Sequence, residues 1–159
     1  MMNLNGRSII LGVTGSIAAY KAVVLASRLT QAGAKVDVIL TEAAIRFVAP
    51  LSFEAVTGRP AYTSLWHTDT FGGMGTHIAH VALAHQADLL AIAPITANTI
   101  AKIALGLADD LLSVTALAAS CPVLIAPAMD AGMYENPATQ GHIETLRGRG
   151  MTIAGPTVG

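Results

Sequence analysis

Residues 8–40 read SIILGVTGSIAAYKAVVLASRLTQAGAKVDVIL, and this stretch decides the fold. It begins with one apolar run, Ser8–Val13, and ends with another, Lys35–Leu40. Between them, apolar residues recur at helical spacing over residues 16–32, and Gly33 follows as a typical residue at a helix C-terminus. A strand, a helix and a second strand in this order predict two parallel strands joined by a crossover helix.

The same alternation continues to the end of the chain. Apolar runs predict three more strands, and helical spacing predicts six more helices, whereas Gly and Pro make residues 58–75 a predicted loop. The fold class is therefore α/β: a Rossmann-like (flavodoxin-like), doubly wound parallel sheet in three α/β/α layers, forming one domain over residues 1–159. The further strands are predicted at 88–93, 122–126 and 151–154, and the further helices at 41–48, 51–57, 77–86, 98–107, 109–119 and 136–149.

Composition narrows the function classes. The chain is 53% hydrophobic and 12% charged, with a net charge of −1, which excludes intrinsic disorder and leaves no basic field for nucleic acid. Residues 111–129 carry no charge, but their serines, threonines and prolines do not suit a membrane span. We expect a cytoplasmic protein, with Cys121 as its only cysteine, no membrane partner, and a surface partly covered by other subunits.

Two polar segments follow predicted strands, where open α/β sheets bind their ligands. Gly12–Ser16 leads into a helix, so its amides and the Ser16 hydroxyl suit a phosphate; the alternative is a tight turn with an N-cap serine. Thr96, Asn98 and Thr99 begin another helix. Helix capping explains one of these three side chains, and a bound polar ligand would explain all of them.

A third segment, residues 126–134, carries two methionines and a tyrosine after a strand. These side chains suit the wall of a flat aromatic cofactor, or simply fill the core. His77 follows the Gly-rich loop and is a candidate acid or base, the alternative being an ordinary histidine at a helix start. His80 lies one turn further, but nothing in sequence completes a metal site, so we predict no metal.

These segments resemble motifs of the homo-oligomeric flavin-containing cysteine decarboxylases. Residues 12–21, GVTGSIAAYK, resemble the family's FMN-phosphate loop; residues 94–99, PITANT, are similar to its PASANT motif; and residues 127–134, PAMDAGMY, resemble its PxMNxxMW motif. His77 falls where the family has its active-site histidine. The four motifs occur in the family's order over residues 7–159, and the chain is most similar to the decarboxylase domain of coenzyme A biosynthesis.

The resemblance implies FMN as the cofactor, bound at a subunit interface of a homotrimer or an assembly of trimers. It implies decarboxylation of the cysteine moiety of 4′-phosphopantothenoylcysteine to 4′-phosphopantetheine, through oxidation to a thioaldehyde and loss of CO₂, with His77 removing a proton. The implied FMN contacts are Gly15, Ser16, Thr41, Thr96, Ala97, Asn98, Thr99 and Ala128, and the implied substrate contacts are Met129, Asp130 and Met133.

Two features depart from the family pattern. Asp130 stands where the family has asparagine, and an ionised carboxylate would repel a substrate carboxylate unless it is protonated or paired. The family continues past the point matching residue 159 into a substrate-covering flap with a proton-donating cysteine. We expect that flap to be absent from this chain or truncated, and Cys121 does not match its cysteine.

Three alternative functions are compatible with the sequence. The first is an oxidative decarboxylase of peptides that end in cysteine, as in lantibiotic-type maturation. The second is a flavin prenyltransferase, and the third is a flavin-binding regulatory subunit without catalysis. His77 favours an enzyme, because a structural relative has no need of a base at that position.

Overall fold

The computed structural model describes residues 3–66 and 76–157, except for the side chains of residues 76–80. Its elements in this part of the chain are β1 Ser8–Val13, α1 Ala19–Gln31, β2 Lys35–Leu40, α2 Glu42–Ile45, α3 Pro50–Thr57, β3 Ala61–Tyr62, α4 Thr76–Gln86, β4 Leu89–Ile95, α5 Ala97–Leu105, α6 Leu111–Ala118, β5 Val123–Pro127, α7 Ala131–Glu135, α8 Pro137–Gly148 and β6 Thr152–Ile153. None of these helices is long and apolar enough to span a bilayer.

The sheet is parallel throughout, with strand order β3-β2-β1-β4-β5-β6. This is the Rossmann order; without the two-residue β3, the other five strands have the flavodoxin-like order. The predicted fold class is confirmed. Since the chain passes from β1 outward to β2 and later returns to the other side of β1 as β4, the strand order reverses between β1 and β4. Ligand sites in such sheets lie at the carboxyl ends of strands beside this point.

Each face of the sheet has its own core. Leu11 and Val13 of β1 belong to a cluster that includes Phe53 of α3 and small residues of α1, whereas Ile10 belongs to a cluster with Ile100 of α5 and others from α6 and α8. Because side chains alternate along a strand, neighbouring residues of β1 enter opposite cores. Helices therefore cover both faces, which gives the three predicted layers.

The prediction that residues 58–75 form a loop is wrong near the start of this range, because Ala61 and Tyr62 form β3. This strand pairs with β2 through Val38 and Ile39, and the Ala61 N–H donates to Glu54 Oε1 at 3.1 Å. Two residues are too few to show a strand period, so tertiary pairing forms this strand.

Two other boundaries also differ from the prediction. The helix predicted from residue 16 begins at Ala19, since Ser16 Oγ accepts from the Ala18 N–H within a preceding turn. Residues 126–134 do not all form a loop, because Asp130 caps the short helix α7 within this segment.

Candidate functional site

Two clefts lie at the carboxyl ends of the central strands, each with a volume of about 780 Å³. Gly15 lines the first and Ser16 lines the second, so the loop after β1 borders both. The first, which we call the Thr96 cleft, is lined among others by Gly15, Thr41, Trp66, Thr96, Ala97, Asn98, Thr99, Lys102, Asp109, Asp110 and Met133. The second, the Met129 cleft, is lined among others by Ser16, Tyr20, Lys21, Pro94, Ala128, Met129 and Asp130.

The loops after β1 and β4 are joined by the side chain of Thr14, which is 1% exposed. Its hydroxyl donates to the Pro94 carbonyl at 2.8 Å and accepts from the Thr96 N–H at 2.9 Å. A third bond links the Ala128 N–H to the Ile95 carbonyl at 3.2 Å, which ties the end of β5 to the end of β4. Three strand ends are therefore held together by hydrogen bonds.

Gly15 allows the loop after β1 to approach α2 closely. A Cβ at this position would lie 2.4 Å from the Cβ of Ala43 and 3.1 Å from its carbonyl carbon. A residue with a side chain would push these segments apart, because real Cβ atoms do not approach so closely. This glycine thus keeps the loop against the helix that begins at Thr41.

Threonines cap two of the helices that begin at the Thr96 cleft, α2 and α5. Thr41 Oγ1 accepts from the Ala44 N–H at 3.2 Å, and Thr96 Oγ1 accepts from the Thr99 N–H at 3.2 Å. The Thr96 hydroxyl also donates to that of Thr99, which is buried. Asn98, in the first turn of α5, is exposed. Amides and hydroxyls at a helix N-terminus favour an anion.

Lys102 adds a charged group to this cleft that the sequence analysis missed. Its ammonium donates to Asp109 Oδ1 at 2.9 Å and to Asp110 Oδ2 at 3.3 Å. The hydrogen bond to Asp109 raises the pKa of Lys102 above its ordinary value and lowers the pKa of Asp109 below its own. The signal in the sequence is the position of Lys102, four residues after Asn98 on the same helix face.

The predicted substrate residues are divided between the clefts. Met129 and Asp130 line the Met129 cleft, whereas Met133 lines the Thr96 cleft. Asp130 Oδ2 accepts from the Gly132 N–H at 2.9 Å, so one oxygen of this carboxylate already has a donor. The structure therefore groups Met133 with six of the eight predicted cofactor residues, whereas the other two, Ser16 and Ala128, line the Met129 cleft.

His77 lies in the first turn of α4, but its side chain is outside the described residues. Cys121 lies just before β5 and packs against the core. Burial raises the pKa of its thiol, which fits a small apolar residue in the core better than a nucleophile.

The chain belongs to the flavoprotein family, whose sequence model matches residues 2–158. It is 46% identical over all 159 residues to the coenzyme A biosynthesis bifunctional protein CoaBC of Vibrio vulnificus, and 48% identical over 157 residues to that of Bacillus subtilis. It spans only 39% and 37% of the length of these two relatives.

Solved structures with the same fold include two similar decarboxylases. The FMN-dependent cysteine decarboxylase SpaF has a TM-score of 0.88 and 39% identity, over 98% of this chain and 87% of that one. A PPC decarboxylase variant in complex with pantothenoylaminoethenethiol has a TM-score of 0.80 and 31% identity, over 95% of this chain and 82% of that one. These proteins have the fold described above.

Proposed function

We propose that this chain is an FMN-dependent decarboxylase that converts 4′-phosphopantothenoylcysteine to 4′-phosphopantetheine by removing the carboxylate of its cysteine moiety as CO₂. The observation that carries this proposal is the hydrogen-bonded junction at Thr14. It holds the loops after β1 and β4 against each other, so that Gly15, Thr41 and Thr96 border one cleft. Identity to CoaBC over the whole chain supports the choice of substrate.

The Thr96 cleft fits FMN in size and chemistry. A volume of about 780 Å³ lies in the range of small-molecule and cofactor sites. The capped N-termini of α2 and α5 offer backbone N–H groups, which suit a phosphate. Gly15 keeps the loop after β1 close enough to contribute its own amides. Six of the proposed FMN contacts line this cleft, namely Gly15, Thr41, Thr96, Ala97, Asn98 and Thr99. The other two, Ser16 and Ala128, line the neighbouring Met129 cleft, and we propose that they contact FMN where the two clefts adjoin.

Bound FMN would accept a hydride from the carbon that carries the cysteine sulfur. We assign His77 to removal of the thiol proton, because a histidine titrates near neutral pH and this one lies in the first turn of α4. Loss of CO₂ then needs no further protein group as a proton acceptor.

Met129 and Asp130 would contact the substrate from the Met129 cleft, and Met133 from the neighbouring one. An ionised Asp130 can accept hydrogen bonds but donate none. Its carboxylate accepts from the Gly132 N–H, so it is partly paired. We propose that it accepts from an amide N–H of the substrate rather than holding the substrate carboxylate.

The test is the mass of the product after FMN-loaded protein is incubated with 4′-phosphopantothenoylcysteine. Loss of CO₂ alone is the expected result of complete turnover, and loss of CO₂ plus two hydrogens would show the oxidative half reaction. The His77→Asn variant should retain FMN and release no CO₂. Unchanged turnover in this variant would refute the role of His77, and an unchanged substrate would refute the proposed function.

A second candidate is oxidative decarboxylation of a peptide that ends in cysteine. SpaF, of which this chain covers 87%, is an FMN-dependent cysteine decarboxylase, and this reaction class includes either substrate. A competition assay with equal concentrations of phosphopantothenoylcysteine and a peptide ending in cysteine separates the two, since the true substrate is consumed first.

Our proposal includes a homotrimer located in the cytoplasm. Ile17, in the turn before α1, and Tyr20 and Val24 of α1 are more than half exposed and lie three and four residues apart, so they form an apolar patch at the start of the helix. Ile17 and Tyr20 also line the Met129 cleft, so a second subunit on this patch would border the substrate. Sedimentation should give three times the monomer mass, and Val24→Asp should reduce it. The single cysteine cannot form an internal disulfide, which fits a reducing compartment.

A further inference from the structure

The largest exposed aromatic side chain of the described residues lies on the Thr96 cleft. Trp66 is 79% exposed and is the only tryptophan of the chain. An indole side chain has a large apolar area, and leaving it in water forgoes the stabilisation that burial would give. An exposed aromatic at the edge of a cleft therefore indicates a surface that something covers.

The lining of this cleft is of two chemical kinds. Backbone amides and hydroxyls gather at the strand ends, around Thr41 and Thr96, whereas Trp66 and Met133 contribute large, exposed apolar surfaces from other segments. A ligand that joins a phosphate to a flat aromatic ring system through a polar chain would satisfy both kinds of lining. A second protein copy would satisfy only the apolar part.

The position of Trp66 is set by β3. This strand pairs with β2, and its start is held by the hydrogen bond from the Ala61 N–H to Glu54. The chain then turns, and the Trp66 N–H donates to Ser64 Oγ at 3.1 Å. The short strand thus brings the indole to the cleft from the edge of the sheet.

We propose that the indole of Trp66 packs against the isoalloxazine ring of FMN, which rests on the proposed function in that FMN occupies the Thr96 cleft. Offset stacking of two aromatic systems adds to the energy of area burial. Removing the ring should therefore weaken FMN binding about three- to tenfold. An indole in contact also quenches flavin emission, because it donates an electron to the excited flavin.

The experiment compares FMN titrations of the wild type, Trp66→Phe, Trp66→Leu and the control Phe47→Leu. Phe47 is 54% exposed but does not line the cleft. The wild type should quench FMN emission strongly. Trp66→Phe should restore the emission while keeping the dissociation constant within about twofold, since a ring remains. Trp66→Leu should restore the emission and weaken binding, and Phe47→Leu should change neither quantity.

Three outcomes would overturn the inference. In the first, Trp66→Leu binds FMN with wild-type affinity and wild-type quenching. In the second, Trp66→Leu keeps the wild-type FMN affinity and quenching but sediments as a smaller species than the wild type. That result would assign Trp66 to a contact between copies of the chain. In the third, the wild type binds no FMN, which would also refute the proposed function; the first two leave FMN bound and refute the inference alone.

Discussion

The hydroxyl of Thr14 and the backbone N–H of Thr96 are joined by a partly buried hydrogen bond of 2.9 Å, across 82 residues of sequence. Thr14 also donates to the Pro94 carbonyl, which accepts a second bond from the Thr14 N–H at 3.2 Å. The end of β1 is therefore fixed to the start of α5 by a single side chain. Thr96 in turn caps α5, so the position of Thr14 determines where that helix N-terminus lies.

Thr14→Val should destabilise the protein and weaken FMN binding. Valine has nearly the shape of threonine but leaves the Thr96 N–H without its acceptor, which costs about 1–3 kcal/mol of the free energy of unfolding. We expect FMN affinity to fall about five- to tenfold, because the loop and α5 lose their common anchor. Urea unfolding and FMN titration measure the two effects.

Thr14→Ser is the matched control, since serine keeps the hydroxyl and loses only a methyl group. It should bind FMN like the wild type, at a stability cost of about 1 kcal/mol for the buried methyl. If the serine and valine variants bind FMN equally well, the hydroxyl does not organise the site.

Gly15→Ala should weaken FMN binding for a steric reason. The new Cβ would lie 2.4 Å from Ala43 Cβ, so α2 must move, and with it the capping Thr41. Overpacking of this kind costs about 1–3 kcal/mol of stability. Thermal unfolding should show a lower Tm, and FMN titration should show a higher Kd.

Ala43→Gly provides a second-site test of that contact. In the wild type it should be neutral or destabilising, because glycine lowers helix propensity. In the Gly15→Ala background it should raise the Tm, since it removes the atom nearest to the new Cβ. An additive double-mutant cycle would contradict the proposed clash.

The sequence predicts the parts of this site that depend on strand ends. Thr96 is predicted in this way, whereas Thr41 is implied by the family resemblance, and both border one cleft. The apolar runs around SIILGV predict the central strands because a doubly covered parallel sheet needs such runs. Local pattern and global fold agree over these segments.

Tertiary packing decides the parts that the sequence did not predict. Trp66 reaches the cleft only because β3 pairs with β2, and two residues carry no period. Lys102 meets Asp109 through the turn between α5 and α6, which no helical spacing predicts. Met133 lies in a different cleft from Met129, because a short helix capped by Asp130 begins between them.

Lys102→Met should weaken FMN binding in a salt-dependent way. The ammonium pairs with Asp109 and Asp110, and its removal would leave two carboxylates beside a cleft proposed to hold a phosphate. Exposed ion pairs contribute little, so we expect a loss of about threefold at low salt. The loss should shrink at high ionic strength, where exposed charges are screened.

Lys102→Arg retains the positive charge and should bind FMN like the wild type. The double variant Lys102→Met/Asp109→Asn should recover part of the affinity, because it removes one of the exposed carboxylates. A loss in Lys102→Met that is independent of salt would contradict an electrostatic origin.

Stability at high pH should depend on Tyr62 of β3. Burial, with a smaller contribution from the Asp37 carboxylate, raises the pKa of Tyr62 to about 12, while the Arg59 guanidinium opposes this shift. A pKa that is higher in the folded state means that the folded protein keeps a proton which the unfolded chain releases near pH 10. The contribution of this pKa difference to the free energy of unfolding is complete below pH 10 and is lost as pH rises toward about 12.

Tyr62→Phe removes this titration and should flatten the fall in stability between pH 10 and 12. Lys102, whose pKa is also raised, loses stabilisation at high pH as well, so some of the fall should remain in the variant. The measurement is the free energy of urea unfolding at intervals from pH 8 to pH 12. Identical pH profiles for Tyr62→Phe and the wild type would show that the phenol titrates alike in both states, and that the buried environment at β3 does not control its proton.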